Sequence, residues 1–274
     1  MSHGRRLVGR HAIITGGSSG IGYATATALG RQGAAVSLIA RGTERLRQAA
    51  EELNKKGVSV ATASVDVTDA AALRHAIEGL VADQAPSDIL ITSAGISEPG
   101  YFLDLDDEVH HRVMNVNYFG TLNAIRAVAP SMVTRQHGTI VGISSAAGLL
   151  GIYGYSAYSP SKFAVKGLLE CLRAEMAPHH VAVHCVFAGD VDTPQLAYET
   201  RIRPKENTAI AGSIKLQPPE HVAEVIVKGI TKSRFAIIPD PQTRLLANSV
   251  SVIDGILNRV ADRRVKKVQT QPDT

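Results

Sequence analysis

Short apolar runs alternate with longer stretches of helical periodicity along most of this chain. HAIIT is followed by IGYATATALGRQG, AVSLIA by ERLRQAAEELNKKG, and VSVATASV by DAAALRHAIEGLVADQ. The alternation continues through DILIT, EVHHRVMNVNYFGTLNAIRAVAPSMVTRQ, GTIVGIS, SKFAVKGLLECLRAEMAP and VAVHCVFA. Strands separated by helices cannot join through tight hairpins, so they pair in parallel through right-handed crossovers, with helices covering both faces of the sheet. The pattern therefore predicts an α/β fold: a single doubly wound domain. Ligands of such sheets bind outside the carboxyl ends of the strands, which makes the residues just after each strand the informative ones.

Composition narrows the functional classes. Of 274 residues, 45% are hydrophobic and 20% charged, the balance of a globule with a sizeable core. The net charge of +4 favours anionic partners such as a phosphorylated cofactor or acidic lipid headgroups. Aromatics are only 4%, Trp is absent and the basic residues are dispersed except at the two ends, which argues against nucleic acid. Cys171 and Cys185 fall in a predicted helix and a predicted buried strand and read as small core residues rather than a disulfide, consistent with a reducing cytoplasm. The N-terminus runs directly into a strand without the apolar stretch of a signal peptide, and no run reaches the ~20 apolar residues of a spanning helix. A cytoplasmic protein, neither secreted nor integral in a membrane, is expected. His180 and His184 lack a carboxylate at ligand spacing and His110–His111 read as helix surface, so no metal is expected.

Three stretches carry chemistry. TGGSSGIG after the first strand places Gly16, Gly20 and Gly22 at the start of the first helix, where glycines let a pyrophosphate approach the backbone and the helix end supplies N–H donors. The spacing differs from the common G-x-G-x-x-G. After the second strand, Ala40 stands where an NAD-preferring site usually has a carboxylate and Arg41 follows, so a 2′-phosphate and NADPH are favoured. Asp66 after the third strand reads either as an acceptor for an adenine amino group or as part of a helix N-cap, and both can hold. SAYSPSKFAV puts Tyr158 and Lys162 on one helix face at i, i+4 spacing. Pro160 fits there if the helix begins near Tyr158, since a first-turn N–H has no intrahelical partner. An adjacent ammonium would favour the phenolate of Tyr158.

With Thr15, Gly16, Gly20, Gly22, Tyr158 and Lys162 in place, residues 8 to 240 resemble the short-chain dehydrogenase/reductase family, a Rossmann fold. The resemblance implies an NADPH/NADP-dependent oxidoreductase in which Tyr158 donates the proton, Lys162 assists it, Ser145 polarises the carbonyl and Asn117 helps hold a relay water. It also implies cofactor contacts from Gly16, Ser18, Ser19, Gly20, Ile21, Gly22, Arg41, Asp66, Val67, Ala94, Gly95, Tyr158, Lys162, Val191 and Thr193. Two departures stand out. Thr92-Ser93-Ala94-Gly95 replaces the usual Asn-Asn-Ala-Gly, and Ala188-Gly189 replaces the usual Pro-Gly before DVDTP. GLLGIYGYSAYSPSKFAVKGLLECLRAEMAP, DVDTP and RIRPKENT are most similar to the 3-ketodihydrosphingosine reductase branch, which implies a long-chain 3-keto lipid substrate. Another hydrophobic carbonyl or alcohol (3-oxoacyl, steroid or xenobiotic) is the alternative, and a non-catalytic dinucleotide sensor a more distant one. The family commonly forms homodimers or homotetramers through helices around 106–136 and 157–178.

The chain divides, on this reading, into a catalytic domain at 1–242 and a C-terminal amphipathic basic helix and tail at 243–274. Residues 195–220 are either a plain surface loop or a mobile substrate lid. In the C-terminal segment Leu246, Val250, Ile253, Leu257 and Val260 recur at helical spacing, with Arg259, Arg263, Arg264, Lys266 and Lys267 toward its end. It reads either as a helix packed on protein or as a peripheral contact with anionic lipid.

Overall fold

The computed structural model describes residues 7–211, 215–232 and 234–249, with Arg263 and Lys267 farther on. Seven parallel strands form one sheet in the order β3-β2-β1-β4-β5-β6-β7. They are β1 (His11–Thr15), β2 (Ala35–Ala40), β3 (Val60–Ser64), β4 (Ile89–Thr92), β5 (Gly138–Ile143), β6 (Val181–Val186) and β7 (Ala236–Ile237). The uniformly apolar strands follow from burial on both faces: adjacent residues point to opposite sides, so Ile14, Leu38, Ile91 and Val141 enter one core while Ile13, Ile39, Leu90 and Ile140 enter the other. The first core is closed by α1 (Gly20–Arg31), α2 (Thr43–Lys55) and α9 (Pro219–Ile230). The second is closed by α3 (Ala70–Asp83), α5 (Gly120–Arg135) and α6 (Tyr158–Met176).

From β1 the chain crosses to β2 on one side and, later, to β4 on the other. This reversal opens a crevice above the carboxyl ends of β1 and β4, where the candidate site lies.

The structure refines several expectations. The long helix predicted before β5 is interrupted: α4 (Asp107–Met114) passes through a π-helical turn, Asn115–Phe119, before α5. Cys185 is buried, but Cys171 is exposed rather than a core residue, because the buried stripe of α6 runs through Lys162, Val165 and Leu169 and leaves position 171 outside it. Both thiols are free. Asp69, not Asp66, caps α3, its carboxylate accepting from the Ala71 and Ala72 amides. The 195–220 interruption holds two helices, α7 (Pro194–Ile202) and α8 (Lys205–Ala211). Residues 241–249 are helical and cross the 242/243 boundary, while the remainder of the basic C-terminal segment lies outside the described residues apart from Arg263 and Lys267. Among the described residues no helix is long and apolar enough to cross a membrane, and no group of three or more His, Cys, Asp or Glu could hold a metal ion.

Candidate active site

One cavity of about 830 Å³ runs across the crevice, and it brings together nearly every site residue expected from sequence. At its nucleotide end lies the turn between β1 and α1. Gly16 and Gly20 have φ of 68° and 53°, and a Cβ on Gly22 would sit 2.3 Å from the Gly16 carbonyl oxygen, so the turn closes only with glycine there. Ser19, the N-cap of α1, makes no side-chain capping bond, and the first turn carries no acidic residue. The leading N–H groups of α1 are thus available to an anion, backed by the positive end of the helix dipole. Ser18, Ser19 and Ile21 line the same wall, whereas Gly22 acts from behind it through the turn.

Farther out, Arg41 and Asp66 pair at 3.7 Å with side chains 66% and 39% exposed. Such an exposed pair is held by little energy, on the order of 1 kcal/mol or less, so the guanidinium can turn to a ligand phosphate at small cost. Asp66 also accepts from the Thr68 amide and hydroxyl, which fixes its carboxylate at the strand end beside Val67. Ala94 and Gly95 follow β4, and the Ala94 amide donates to Thr15 Oγ1. The Thr92 hydroxyl, where the family usually has an amide, is buried without a partner among the described residues. Val191 and Thr193 follow β6. Thr193 caps α7 and rests against Gly20, its Cγ2 3.0 Å from where a Cβ there would be.

At the reacting end, α6 opens at Tyr158, so Pro160 falls in its first turn as the spacing predicted. Lys162 is buried, its Nζ donating to the Ile143 carbonyl at 3.0 Å and lying 5.4 Å from the Tyr158 ring centre. Ser145 Oγ accepts from the Ala147 amide and donates to the Ala188 carbonyl at 3.4 Å, a long bond that yields readily to a better acceptor. Asn117 sits in the π-helical turn and does not line the cavity. Its side chain accepts from the Ile96 amide and donates to the Ile96 carbonyl and Ser161 Oγ, tying the turn to the start of α6.

The electrostatics correct one expectation. Burial, followed by the field of Glu199, pushes the Tyr158 phenol up rather than down, although hydrogen bonds with Ser145 and Gln195 pull the other way. Lys162 is itself lowered to about 8 by burial. The ammonium faces the ring of Tyr158 and the Ile143 carbonyl, so the helix spacing brings the two side chains together without making the phenol acidic. Tyr158 is therefore protonated at neutral pH.

A group that sequence reasoning missed sits beside Tyr158. Tyr155 donates to Glu199 Oε2 at 2.6 Å, Gln195 donates to Glu199 Oε1 at 2.8 Å, and Arg203 pairs with both Glu199 (3.3 Å) and Asp190 (3.5 Å). The spacing of Gln195, Glu199 and Arg203, four residues apart, was the available signal for one helix face in a stretch read as a loop or lid.

Comparison with known proteins agrees with this geometry. The short chain dehydrogenase family profile matches residues 10–203. The 3-ketodihydrosphingosine reductase of Bos taurus is 39% identical over 234 residues, covering 84% of this chain and 70% of that protein. A short chain dehydrogenase from Mycobacterium paratuberculosis, solved bound to NAD, is 26% identical with a TM-score of 0.77 over 85% of this chain and 96% of its own. The actinorhodin polyketide ketoreductase, solved with NADPH, is 30% identical with a TM-score of 0.77 over 84% and 95% respectively.

Proposed function

This chain belongs to the short-chain dehydrogenase/reductase family and is an oxidoreductase acting between C=O and CH–OH groups, and on that premise we propose that it is an NADPH-dependent reductase of a long-chain 3-keto lipid such as 3-ketosphinganine. The observation that carries the reading is the convergence, in one cavity, of an anion-receptive helix start, a protonated phenol and an apolar wall of Leu150, Ile152, Leu196, Ile210 and Leu246. The name of the bovine relative supports the substrate class.

The residues present fit a nicotinamide dinucleotide. The α1 start and Thr193 would hold its phosphates, Arg41 a 2′-phosphate, Asp66 and Val67 its adenine, Val191 its carboxamide, and Tyr158 and Lys162 the ribose beside the nicotinamide. When bound, the group supplies the hydride. This chain's own part is to receive charge and deliver a proton. Ser145 exchanges its long bond to Ala188 for the substrate oxygen, stabilising negative charge as it develops there. Tyr158, held protonated by its surroundings, gives its proton to that oxygen. Lys162 uses one of its three N–H donors on Ile143 and keeps two for ribose hydroxyls and the relay that reprotonates the phenol. Asn117, whose side chain makes three hydrogen bonds within the protein, acts by fixing the π-helical turn near that relay.

A comparison of kcat/KM for 3-ketosphinganine, a short 3-oxoacyl thioester and a steroid ketone tests the substrate class. The long-chain keto lipid is expected to be preferred, and preference for either of the others would replace it. Arg41→Ala is expected to weaken NADPH binding by about tenfold or more, the scale of a charge-assisted phosphate contact, while leaving NADH nearly unaffected. Equal losses for both, measured by fluorescence titration, would make Arg41 structural only.

A further inference from the structure

In the reaction chemistry above the Tyr155–Glu199–Arg203–Asp190 group transfers no proton or hydride and acts only through the Glu199 field on the phenol, yet it forms the wall of the cavity next to Tyr158. We propose that Glu199 is a specificity-determining residue that recognises a protonated amine on the carbon adjacent to the carbonyl being reduced; this rests on the ketone-reductase reading.

Four observations support it. First, the charges do not balance locally: two carboxylates, Glu199 and Asp190, face one guanidinium, Arg203, with side-chain exposures of 8%, 34% and 9%. Lys162 feels the Glu199 field, but its hydrogen bond goes to the Ile143 carbonyl and it makes no ion pair with either carboxylate. Glu199 is buried and shares the Arg203 cation with the partly exposed Asp190, so a surplus of negative charge remains along this wall, and a cationic ligand offsets it. Second, Glu199 has capacity left. A carboxylate has about four acceptor sites, and Tyr155, Gln195 and Arg203 occupy three. Third, Arg203 Nε is buried with no partner among the described residues, so this wall holds a second polar group awaiting a ligand atom. That donor suits a hydroxyl on the same substrate head.

The fourth observation is position. Gln195 donates to Glu199 and lies close enough to Tyr158 to bear on its phenol, and all three line the same cavity, so the carboxylate stands near the proton donor. An amine on the carbon next to the carbonyl lies within about one hydrogen-bond length of the carbonyl oxygen and so falls beside Gln195 and Glu199 once that oxygen meets Tyr158. The Tyr155 ring packs 5.6 Å from the Tyr158 ring and 5.7 Å from the Arg203 guanidinium, offering an aromatic face to a cation as well.

The test compares two ketones of equal chain length, a 2-amino-1-hydroxy-3-ketone and the same compound without the amine, with wild type and Glu199→Gln. Wild type is expected to favour the amine-bearing ketone. Glu199→Gln is expected to lower its kcat/KM about 10- to 100-fold, mainly through KM, while the amine-free ketone changes little. Turnover of the amine-free ketone also reports that the variant is folded. Equal losses on both ketones, or no preference in wild type, would overturn the inference and leave the ketone-reductase reading standing. If wild type reduces neither ketone, that reading fails; calorimetric binding of the matching amino diol and amine-free diol to the NADP-loaded protein then decides the inference. Amine-dependent binding lost in Glu199→Gln upholds it, and indifference to the amine overturns it.

Discussion

Tyr158→Phe is expected to lower kcat by about 10²–10⁴-fold, the range that a positioned general acid contributes, with NADPH affinity lowered far less, through the loss of one ribose contact. The ring packs against Tyr155 and beneath the Lys162 ammonium, and those contacts persist in phenylalanine. Only the proton donor, with its polar interactions toward Ser145, Gln195 and the ribose, is lost. Single-turnover kinetics with saturating ketone separates this from a binding defect. Retention of more than about a tenth of the wild-type kcat would move the acid role to another residue.

Lys162→Met is expected to lower turnover strongly as well, but with two further signatures. NADPH binding weakens, because the ribose loses its donors. The pH dependence of apoprotein stability also changes, and its sign follows from burial. In the folded protein Lys162 titrates at about 8, against 10.5 for the ordinary side chain. The unfolded chain therefore holds an extra proton between these values, and this lysine makes stability rise with pH across that window. Below about 8 the buried charge exerts its full destabilising effect; above 10.5 none remains. The difference in unfolding free energy between wild type and variant should accordingly change in favour of wild type as pH rises from 8 toward 10, measured by denaturant titration. A pH-independent difference would mean that Lys162 is not desolvated as described.

The parallel sheet and the helices on both faces were legible because doubly buried strands carry an unmistakable pattern: Ile13-Ile14 and Leu90-Ile91 must each serve two cores. The nucleotide turn was legible because steric need at Gly16 and Gly22 leaves glycine no substitute. Tyr158 and Lys162 were readable from helix spacing, yet the direction of the phenol's shift was not. Burial and Glu199 set that direction, and Glu199 arrives from α7, some forty residues later in the chain. The same reason hid the polar group beside Tyr158. Sequence shows Gln195, Glu199 and Arg203 as a polar segment, and only the fold turns that segment inward onto Tyr155 and Asp190. The π-helical turn that positions Asn117 leaves no periodic signal, since it inserts a single residue into an otherwise continuous helix.

The most direct test of the central claim is isotope transfer. Protein incubated with NADPH deuterated at the reactive C4 position and 3-ketosphinganine should yield an alcohol that carries deuterium on the former carbonyl carbon. The deuterium should be absent with Tyr158→Phe over the same time. NADPH that binds in the cavity while no ketone, long-chain or otherwise, acquires deuterium would contradict the account and leave a dinucleotide-binding protein without this chemistry.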